Sequence, residues 1–192
     1  MKKQLLIAVQ MTIATTILLG LVYPLVVTVL AQTLFHDRAN GQLIRSGGVI
    51  VGSRLIGQPF TGPNYFHSRP SASGDAGYDA TASGGSNLGP TNQKLIDRVK
   101  ADVIRIQAEN PGVPIPVDLV TTSGSGLDPE ISPASADFQV PRIARERHLS
   151  EGDVRAFIHA HTQSPQLGLL GEPRVNVLEL NLALDAVPQQ SR

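Results

Sequence analysis

The chain has 192 residues, and its 16 basic and 16 acidic side chains give a formal net charge of zero. Neither sign forms a block, which excludes the basic stripe of a nucleic-acid-binding protein and the clustered Lys or Arg of a polybasic lipid-binding tail. The chain has no cysteine, so no disulfide framework is available, and either redox compartment is compatible with it.

The first predicted element is a transmembrane helix over residues 5–31, an uncharged and mainly apolar run directly behind Met1-Lys2-Lys3. A helix needs about 20 mainly apolar residues to cross the hydrocarbon core of a bilayer, so this run is long enough to span it with some tilt. A cleaved signal peptide is the alternative, because two lysines precede the run and residues 29–31 (VLA) resemble a cleavage site. The apolar region of a signal peptide has only about 7–15 residues, so we favour an uncleaved anchor.

The predicted orientation places residues 1–4 inside the cell and residues 32–192 outside the membrane. The two N-terminal lysines agree with the positive-inside rule, whereas Arg38 and Arg45, just beyond the other end of the helix, count against it. Long domains cross a membrane largely regardless of their charge, so charge sets this orientation only weakly.

Several residues inside the apolar run are small or hydrogen-bonding, and one removes a backbone donor. In lipid, such residues favour close contact between helices, and a proline kink is tolerated when neighbours satisfy the freed carbonyl. We therefore predict packing against partner helices through Thr12, Thr15, Thr16, Gly20 and Pro24.

After the anchor, 161 residues follow, enough for one domain with a core that needs no disulfide. Residues 42–58 alternate short apolar pieces with glycines, a pattern typical of short strands and tight turns. Residues 59–91 are rich in Gly, Ser, Pro, Asn and Asp, and a structureless loop of this length is usually functional or disordered.

The clearest helix of this part is predicted to begin near Thr91 or Asn92 as N-cap and to end at residues 110–112 (NPG). Its apolar residues recur at spacings of four, four and three, which places them on one face. They are Leu95, Val99, Val103 and Ile106.

The C-terminal half is predicted to hold two strands and two helices. Residues 117–122 read as a strand, and residues 175–184 read as a half-buried strand, because leucines alternate there with other residues. Ser132 caps a helix that begins at Pro133, meets a break or kink at Pro141 and continues toward residue 148, and Ser150 caps the next helix. The predicted fold is therefore one N-terminal transmembrane helix followed by a single α+β domain.

Two glycine-serine loops precede predicted helix starts: Ser83, Gly84, Gly85, Ser86 and Asn87 before the helix at Asn92, and Ser123, Gly124, Ser125 and Gly126 before the helix at Pro133. Such loops expose backbone N–H groups that suit a phosphate or another anion. Neither loop continues into the Gly-Lys-Ser/Thr of a nucleotide-hydrolysing P-loop, so this chain is not expected to hydrolyse ATP by itself. Ordinary turn chemistry is the interpretation that we favour.

Catalytic and metal motifs are missing from the sequence. His159 and His161 are two positions apart on a predicted helix and cannot form an i, i+4 metal pair. There is no G-x-S-x-G or Ser-x-x-Lys motif of a serine hydrolase. Asp75, Asp79 and Asp128 lie in Gly- or Pro-rich turns, where aspartate usually binds the backbone. The residues indicate a non-catalytic accessory domain without a metal or a catalytic site.

Five blocks in order resemble the C-subunit (KdpC) family of the bacterial high-affinity potassium-transporting Kdp ATPase, and the resemblance covers nearly the whole chain. Position 130 is Glu, where the resemblance leads us to expect His or Asn. The blocks are residues 52–58 (GSRLIGQ), 65–72 (YFHSRPSA), 83–89 (SGGSNLG), 125–129 (SGLDP) and 175–181 (VNVLELN).

The resemblance implies a place in a complex of the bacterial inner membrane, with a cytoplasmic N-terminus and a periplasmic domain. The implied partners are a channel-like potassium subunit, a P-type ATPase subunit that hydrolyses ATP, a very small subunit and membrane lipid, without nucleic acid. The implied role is that of a catalytic chaperone, which raises the ATP affinity of the hydrolysing subunit and is needed for assembly. No cofactor is expected to bind stably.

The resemblance also implies a nucleotide contact near Gln139, whose amide would pair with a base edge, together with the loop of Ser123, Gly124, Ser125 and Gly126. A periplasmic domain conflicts with such a contact, because ATP is cytoplasmic, so indirect coupling through the global states of the complex is the alternative. A stand-alone membrane-anchored binding or scaffold module unrelated to transport is a third interpretation.

Overall fold

The computed structural model describes residues 1–186; residues 187–192, the end of the predicted periplasmic domain, lie outside the described part. The chain divides into two compact units, one from Met1 to Leu43 and one from Ile44 onward. The first unit therefore includes the predicted anchor and the twelve residues that follow it, up to Leu43.

The first unit is helical. It consists of α1 (Lys2–Ile17), a π-helical turn (Leu18–Val22), α2 (Tyr23–Leu34) and a short α3 (His36–Ala39). Lys2–Leu34 form one run of 33 residues with a mean hydropathy of 2.3 over its most apolar window, which is long and apolar enough to cross a membrane. The predicted apolar helix is confirmed and extends beyond residues 5–31 at both ends.

The π-helical turn has a cause in the sequence. Pro24 has no N–H group, so it cannot donate the α-helical hydrogen bond to the carbonyl four residues earlier, at Gly20. The N–H of Tyr23 instead reaches back five residues to the carbonyl of Leu18, which widens the turn just before the proline. The apolar helix thus consists of two α-helical halves joined by one wide turn.

The second unit contains two small sheets. β1 (Leu43–Ser46) and β2 (Val49–Ser53) form a two-stranded sheet at its start, in the region predicted to hold short strands. β3 (Glu130–Ile131), β4 (Thr162–Gln163) and β5 (Arg174–Asn176) form an antiparallel sheet with β5 in the centre.

Within residues 44–186, four α-helices complete the second unit: α4 (Gln93–Gln107), α5 (Pro133–Arg147), α6 (Glu151–His161) and α7 (Val177–Asp185). The three predicted N-caps are confirmed, because the side chains of Asn92, Ser132 and Ser150 each accept a hydrogen bond from a backbone N–H of the first turn. α5 continues through Pro141, so the predicted break does not end the helix.

The predicted strand over residues 117–122 is wrong. Val117–Leu119 form a single 3₁₀ turn, closed by a hydrogen bond from the N–H of Val120 to the carbonyl of Val117. The neighbouring side chains of Leu119 and Val120 are both buried in one cluster with Ile106 and Phe138. A strand would direct neighbouring side chains to opposite faces, whereas a tight turn buries both on one side.

The predicted strand over residues 175–184 is also wrong beyond its first two residues. β5 ends at Asn176, whose side chain accepts a hydrogen bond from the N–H of Glu179 and begins α7. Val177, Leu180, Asn181 and Leu184 are all buried, at the i, i+3, i+4, i+7 spacing of one helix face. The same leucines fit both the period of two of a strand and the spacing of a helix face. The cap hydrogen bond of Asn176 stabilises the helix.

The main core lies between α5, α6, α7 and the sheet of β3, β4 and β5. Its largest fully buried side chain is Phe66, although this residue belongs to residues 59–91, a segment without helix or strand. The predicted irregular loop is confirmed as irregular and contributes to the core. The buried apolar cluster consists of Phe66, Ile131, Ala136, Val140, Ile143, Ala144, Val154, Ile158, Val175, Val177, Leu180 and Leu184.

Candidate functional site

Two buried side-chain amides hold consecutive residues of the long loop. The N–H of Phe66 donates to Oδ1 of Asn181 at 2.8 Å, and Nδ2 of Asn181 donates to the carbonyl of Phe66 at 3.0 Å. The N–H of His67 donates to Oε1 of Gln139 at 2.8 Å, and Nε2 of Gln139 donates to the carbonyl of His67 at 3.1 Å. We call this arrangement of Asn181, Gln139, Phe66 and His67 the amide clamp. It satisfies the backbone of buried loop residues that have no strand partner.

Arg142 extends the amide clamp on α5. Its Nη2 donates to Oε1 of Gln139 at 2.7 Å, and its Nη1 donates to the carbonyl of Tyr65 at 2.8 Å. Its Nε donates to Glu109 at 2.9 Å, and only 5% of Arg142 is exposed. Burial lowers the pKa of Arg142, and the negative charge of Glu109 opposes that shift. The carboxylate therefore compensates a buried guanidinium that organises the loop.

His67 is held in its neutral form. Burial lowers the pKa of His67, and the nearby positive charge of Arg142 lowers it further. Its Nε2 lies 3.0 Å from the carbonyl of Gly62, and a carbonyl only accepts, so Nε2 carries the proton and donates it. The imidazole thus acts as a structural donor within the loop.

A cavity of about 500 Å³ lies between this loop and α4, and Gln139 and His67 are part of its wall. Its carboxylates are paired: Asp102 binds Arg98 at 3.0 Å and Arg105 at 3.2 Å, and Glu109 binds Arg142. The other charged residue of the wall, Arg69, binds Asp128 at 2.9 Å. The wall of this cavity offers polar contacts for binding, and its carboxylates already form ion pairs with arginines.

The two glycine-serine loops pack against each other, although they are far apart in the sequence. The N–H of Gly84 donates to the carbonyl of Ser125 at 2.8 Å, and the hydroxyl of Ser83 donates to the same carbonyl at 3.1 Å. Within the second loop, the N–H of Gly126 donates to the Ser123 hydroxyl at 3.0 Å. Several N–H groups that a phosphate would need are therefore already bonded within the chain, as turn chemistry requires.

Gly126 is the point of closest approach between the loops. Its φ of +68° is a left-handed backbone conformation that favours glycine. A Cβ added there would lie 2.7 Å from the carbonyl oxygen of Gly84 and 2.8 Å from Ser73. A Cβ added at Gly85 would lie 3.1 Å from the carbonyl oxygen of Gly124, and Asn87 ends the first loop with a φ of +52°.

The predicted nucleotide-binding residues line two different cavities. Gln139 borders the cavity beside α4, whereas Ser123, Gly124 and Ser125 border a second cavity of about 620 Å³. Arg69 lines both cavities. Within residues 1–186, these cavities do not bring the Gln139 amide and the loop together around one space.

A carboxylate already occupies the N-terminus of α5, and β3 lies between this helix and the Ser123–Gly126 loop along the chain. Asp118 accepts hydrogen bonds from the N–H of Ser132 at 2.8 Å and from its hydroxyl at 3.1 Å, and it also binds the Ser135 hydroxyl. A negative charge near a helix N-terminus is favourable. The Asp118 carboxylate therefore occupies the helix end at which the sequence suggested that a phosphate or another anion could bind.

Two of the three predicted turn aspartates, Asp79 and Asp128, bind the backbone. Asp79 accepts from the N–H of Thr81 at 2.9 Å and from its hydroxyl at 2.7 Å, and these bonds lower the pKa of Asp79. Asp128 accepts from the N–H of Glu130 at 3.0 Å. Glu130, which stands where the resemblance led us to expect His or Asn, binds Arg174 across the β3–β5 pair at 2.8 Å.

The small and hydroxyl residues of the apolar helix lie on its exposed surface. The Thr12 hydroxyl donates to the carbonyl of Ala8 at 2.9 Å, and the Thr15 hydroxyl donates to that of Met11 at 2.8 Å. These hydroxyls are bonded within their own helix. Gly20 lies in the π-helical turn, and Pro24 lies in the first turn of α2. The packing of these residues and Thr16 against partner helices stays a prediction.

The sequence interpretation missed Arg142, Asn181 and Glu109. One signal was present for the first: Gln139 and Arg142 are three positions apart on α5, so they share one side of a helix whose neighbouring residues are largely apolar. Asn181 gave no such signal, because it was placed in a strand.

A family model described as the c chain of the K⁺-transporting ATPase matches residues 5–186. The chain is 65% identical over 185 residues to a potassium-transporting ATPase KdpC subunit of Koribacter versatilis, covering 96% of this chain and 95% of the relative. It is 63% identical over 172 residues to the KdpC subunit of Caulobacter vibrioides, covering 89% and 87%. It is 54% identical over 197 residues to that of Rhodopseudomonas palustris, covering 97% and 99%.

Proposed function

This chain belongs to the KdpC family, the c chain of the K⁺-transporting ATPase, and on that premise we propose how it acts within the transport complex. It is an accessory subunit and not the catalytic one. Its proposed task is to support assembly of the complex and to raise the ATP affinity of the P-type subunit that hydrolyses ATP, in the manner of a catalytic chaperone.

The proposed partners are the channel-like potassium subunit, the P-type catalytic subunit and the very small subunit. The apolar helix is proposed to anchor the chain in the bacterial inner membrane, with residues 1–4 in the cytoplasm and the second unit in the periplasm. In that orientation the second unit packs on the potassium-entry face of the complex. A reporter fused after Arg192 tests the orientation, and reporter activity in the cytoplasm would overturn it.

The burial and complete internal hydrogen bonding of Gln139 favour an indirect effect on ATP affinity over a direct contact. Only 2% of this residue is exposed, and both its amide oxygen and its amide nitrogen are bonded to His67. Its remaining bonds, to Arg142 and to the carbonyl of Ser135, are also internal. An amide in this state holds the fold together and has no donor left for a base edge. A domain outside the membrane can still change ATP affinity, because two sites couple whenever each ligand prefers one global state of the complex.

Removal of the chain tests the proposed role directly. The P-type subunit is purified from cells with and without this chain, and the ATP concentration at half-maximal hydrolysis is measured in both preparations. We expect a higher half-maximal concentration without the chain. Equal values would contradict the catalytic-chaperone role, and failure of the tagged chain to co-purify with any membrane partner would favour a stand-alone module.

Direct nucleotide contact is the second candidate, and the cavity beside the glycine-serine loops supports it. At about 620 Å³, with Arg69 in its wall, this cavity is within the usual size range of a small-molecule site. In this candidate Ser123, Gly124, Ser125 and Gly126 would contact the phosphates.

Gly124→Asp separates the two candidates. An added Cβ at Gly124 meets nothing within 4 Å, so the substitution introduces a carboxylate at the cavity wall without a clash. Direct contact predicts a fall of about tenfold in apparent ATP affinity from charge repulsion at short range. Indirect coupling predicts no change. Gly152→Asp, in the exposed first turn of α6, is the matched control for an added charge.

A further inference from the structure

A short hairpin tip between β4 and β5 exposes three leucines. Leu167, Leu169 and Leu170 are 90%, 87% and 60% exposed. Within residues 1–186, only the terminal Met1 is a more exposed large apolar residue than Leu167 and Leu169. These two leucines are even more exposed than those of the apolar helix, which reach 68% at Leu34. We call residues 166–170 the leucine tip.

The leucine tip is held in one conformation by its own backbone. Gln166 and Leu170 exchange hydrogen bonds in both directions, each at 2.9 Å, and the N–H of Leu169 donates to the carbonyl of Gln166 at 3.1 Å. The turn residues Leu167 and Gly168 have φ values of +55° and +74°. The leucines are therefore presented by a closed turn, with little conformational freedom left to lose on binding.

Leu167 combines two unfavourable properties. A leucine at positive φ is strained, because only glycine and, less well, asparagine or aspartate adopt this conformation readily. The same side chain is almost fully in water, so neither local conformation nor packing within the chain explains a leucine at this position. A residue that is strained and exposed at once indicates a contact made outside the chain.

We propose that the leucine tip inserts into an uncharged, apolar pocket on the extramembrane surface of another subunit of the transport complex. This inference rests on the proposed function, since it requires a complex. The composition of the tip indicates the partner: residues 162–171 contain no charged residue and no aromatic residue. Such a segment complements an apolar protein pocket.

A bilayer surface fits the leucine tip less well. Segments that lie in the membrane interface usually combine apolar residues with Trp or Tyr at the headgroups and Lys or Arg toward anionic lipid. Residues 162–171 have neither kind. Self-association is also disfavoured, because a standard interface buries about 800 Å² on each partner and three leucines fall well short of that area.

The same area argument favours a partner that is already held nearby. A contact of three leucines is weak alone, but a second attachment in the same chain makes it effectively intramolecular. The apolar helix supplies that second attachment in the membrane. The leucine tip then acts as the extramembrane half of a two-point attachment to the complex.

Replacing leucines of the tip tests the proposal. Leu167→Asn with Leu169→Ser removes the apolar side chains, and asparagine tolerates the positive φ at position 167 better than leucine does. The isolated chain is expected to melt at the same temperature as the wild type or higher. The purified complex is expected to lose the variant chain at least about tenfold faster in detergent, because two apolar contacts are lost. Ile104→Gln, which replaces a 74% exposed isoleucine on α4, is the matched control and should leave the dissociation rate unchanged.

Two results of this experiment have different meanings. If the wild-type chain and the tip variant dissociate from the complex at the same rate, the leucine tip is not a docking element and this inference is overturned. If the wild-type chain does not join any complex, the proposed function itself fails, independently of the tip.

Fluorescence distinguishes a protein pocket from lipid. The chain contains no tryptophan, so Leu169→Trp introduces a single tryptophan into this chain, at the tip, and the complex with the unsubstituted chain provides the background emission of the partners. In liposomes that contain the full chain without its partners, acrylamide should quench the tryptophan emission and brominated lipid should not quench it. In the complex, quenching by acrylamide should decrease. Quenching by brominated lipid without partners would assign the tip to the bilayer, and unchanged acrylamide quenching in the complex would exclude the pocket.

Discussion

Gln139 on α5 and Asn181 on α7 each bind both backbone groups of one residue in the same loop, and the two bound residues, His67 and Phe66, are consecutive. Two helices thus provide, through side chains, the hydrogen bonds that a neighbouring strand would provide through its backbone. This arrangement lets an irregular segment contribute Phe66 to the main core.

Gln139→Ala is expected to destabilise the second unit by about 3 kcal/mol or more. The substitution leaves both backbone groups of His67 and one donor of Arg142 unpaired, and each buried unpaired group costs about 1–3 kcal/mol. Urea unfolding of the full chain in detergent, followed by circular dichroism, measures the change. The matched control is Gln93→Ala, an exposed glutamine of α4 that should change stability by less than about 0.5 kcal/mol. Similar midpoints for the two variants would show that the amide clamp contributes little.

Glu109→Gln is expected to destabilise the second unit by about 2–3 kcal/mol. The substitution leaves the buried guanidinium of Arg142 without its counter-charge, whereas the partly exposed glutamine recovers some hydration. The control is Glu151→Gln, which breaks an ion pair with Arg155 in which both side chains are 49% exposed, and which should cost less than about 1 kcal/mol. The same unfolding experiment measures both variants, and an equal loss in the two would argue against charge compensation at Arg142.

Gly126→Ala and Gly124→Ala are expected to differ strongly although they are two residues apart. The first introduces a Cβ at a φ of +68°, 2.7 Å from the carbonyl oxygen of Gly84, and should cost about 2 kcal/mol or more. The second meets nothing within 4 Å and should cost less than about 0.5 kcal/mol. Thermal melting of both variants provides the comparison. Equal melting temperatures would mean that the two loops separate easily.

His67 is expected to make stability depend on pH near neutrality. Its pKa is lowered in the folded chain, so the unfolded chain takes up a proton first as pH falls below about 6.5, and stability decreases from that point until the folded pKa is passed. The slope from one such group is at most about 1.4 kcal/mol per pH unit. His67→Gln should flatten the dependence below about pH 6.5. An unaltered slope in this variant would assign the dependence to other groups.

Local signals predicted the starts of α4, α5 and α6 correctly. Asn92, Ser132 and Ser150 act as caps within three residues of their own position, so a short window of sequence contains the relevant chemistry. The apolar helix was predictable for a similar reason, because its length and lack of charge are properties of one continuous segment.

Contacts between distant residues could not be predicted in this way. The partner of Phe66 is 115 positions away at Asn181, and Ser83 meets the carbonyl of Ser125, 42 positions away. Residues 59–91 show no periodicity that would indicate where such partners lie. The conformation of this loop is therefore set by tertiary contacts and not by a local pattern. At α7 the local pattern itself was ambiguous, because the same leucines fit a period of two and a helical face.

The π-helical turn before Pro24 changes the direction in which the second half of the apolar helix presents its side chains. Successive residues of an α-helix are rotated by about 100°, so one extra residue in a turn displaces every later side chain by roughly that angle. A stripe of small residues that begins with Thr12 and Thr15 therefore does not continue straight along α2. The predicted contact with partner helices would therefore use one side of α1 and a different side of α2.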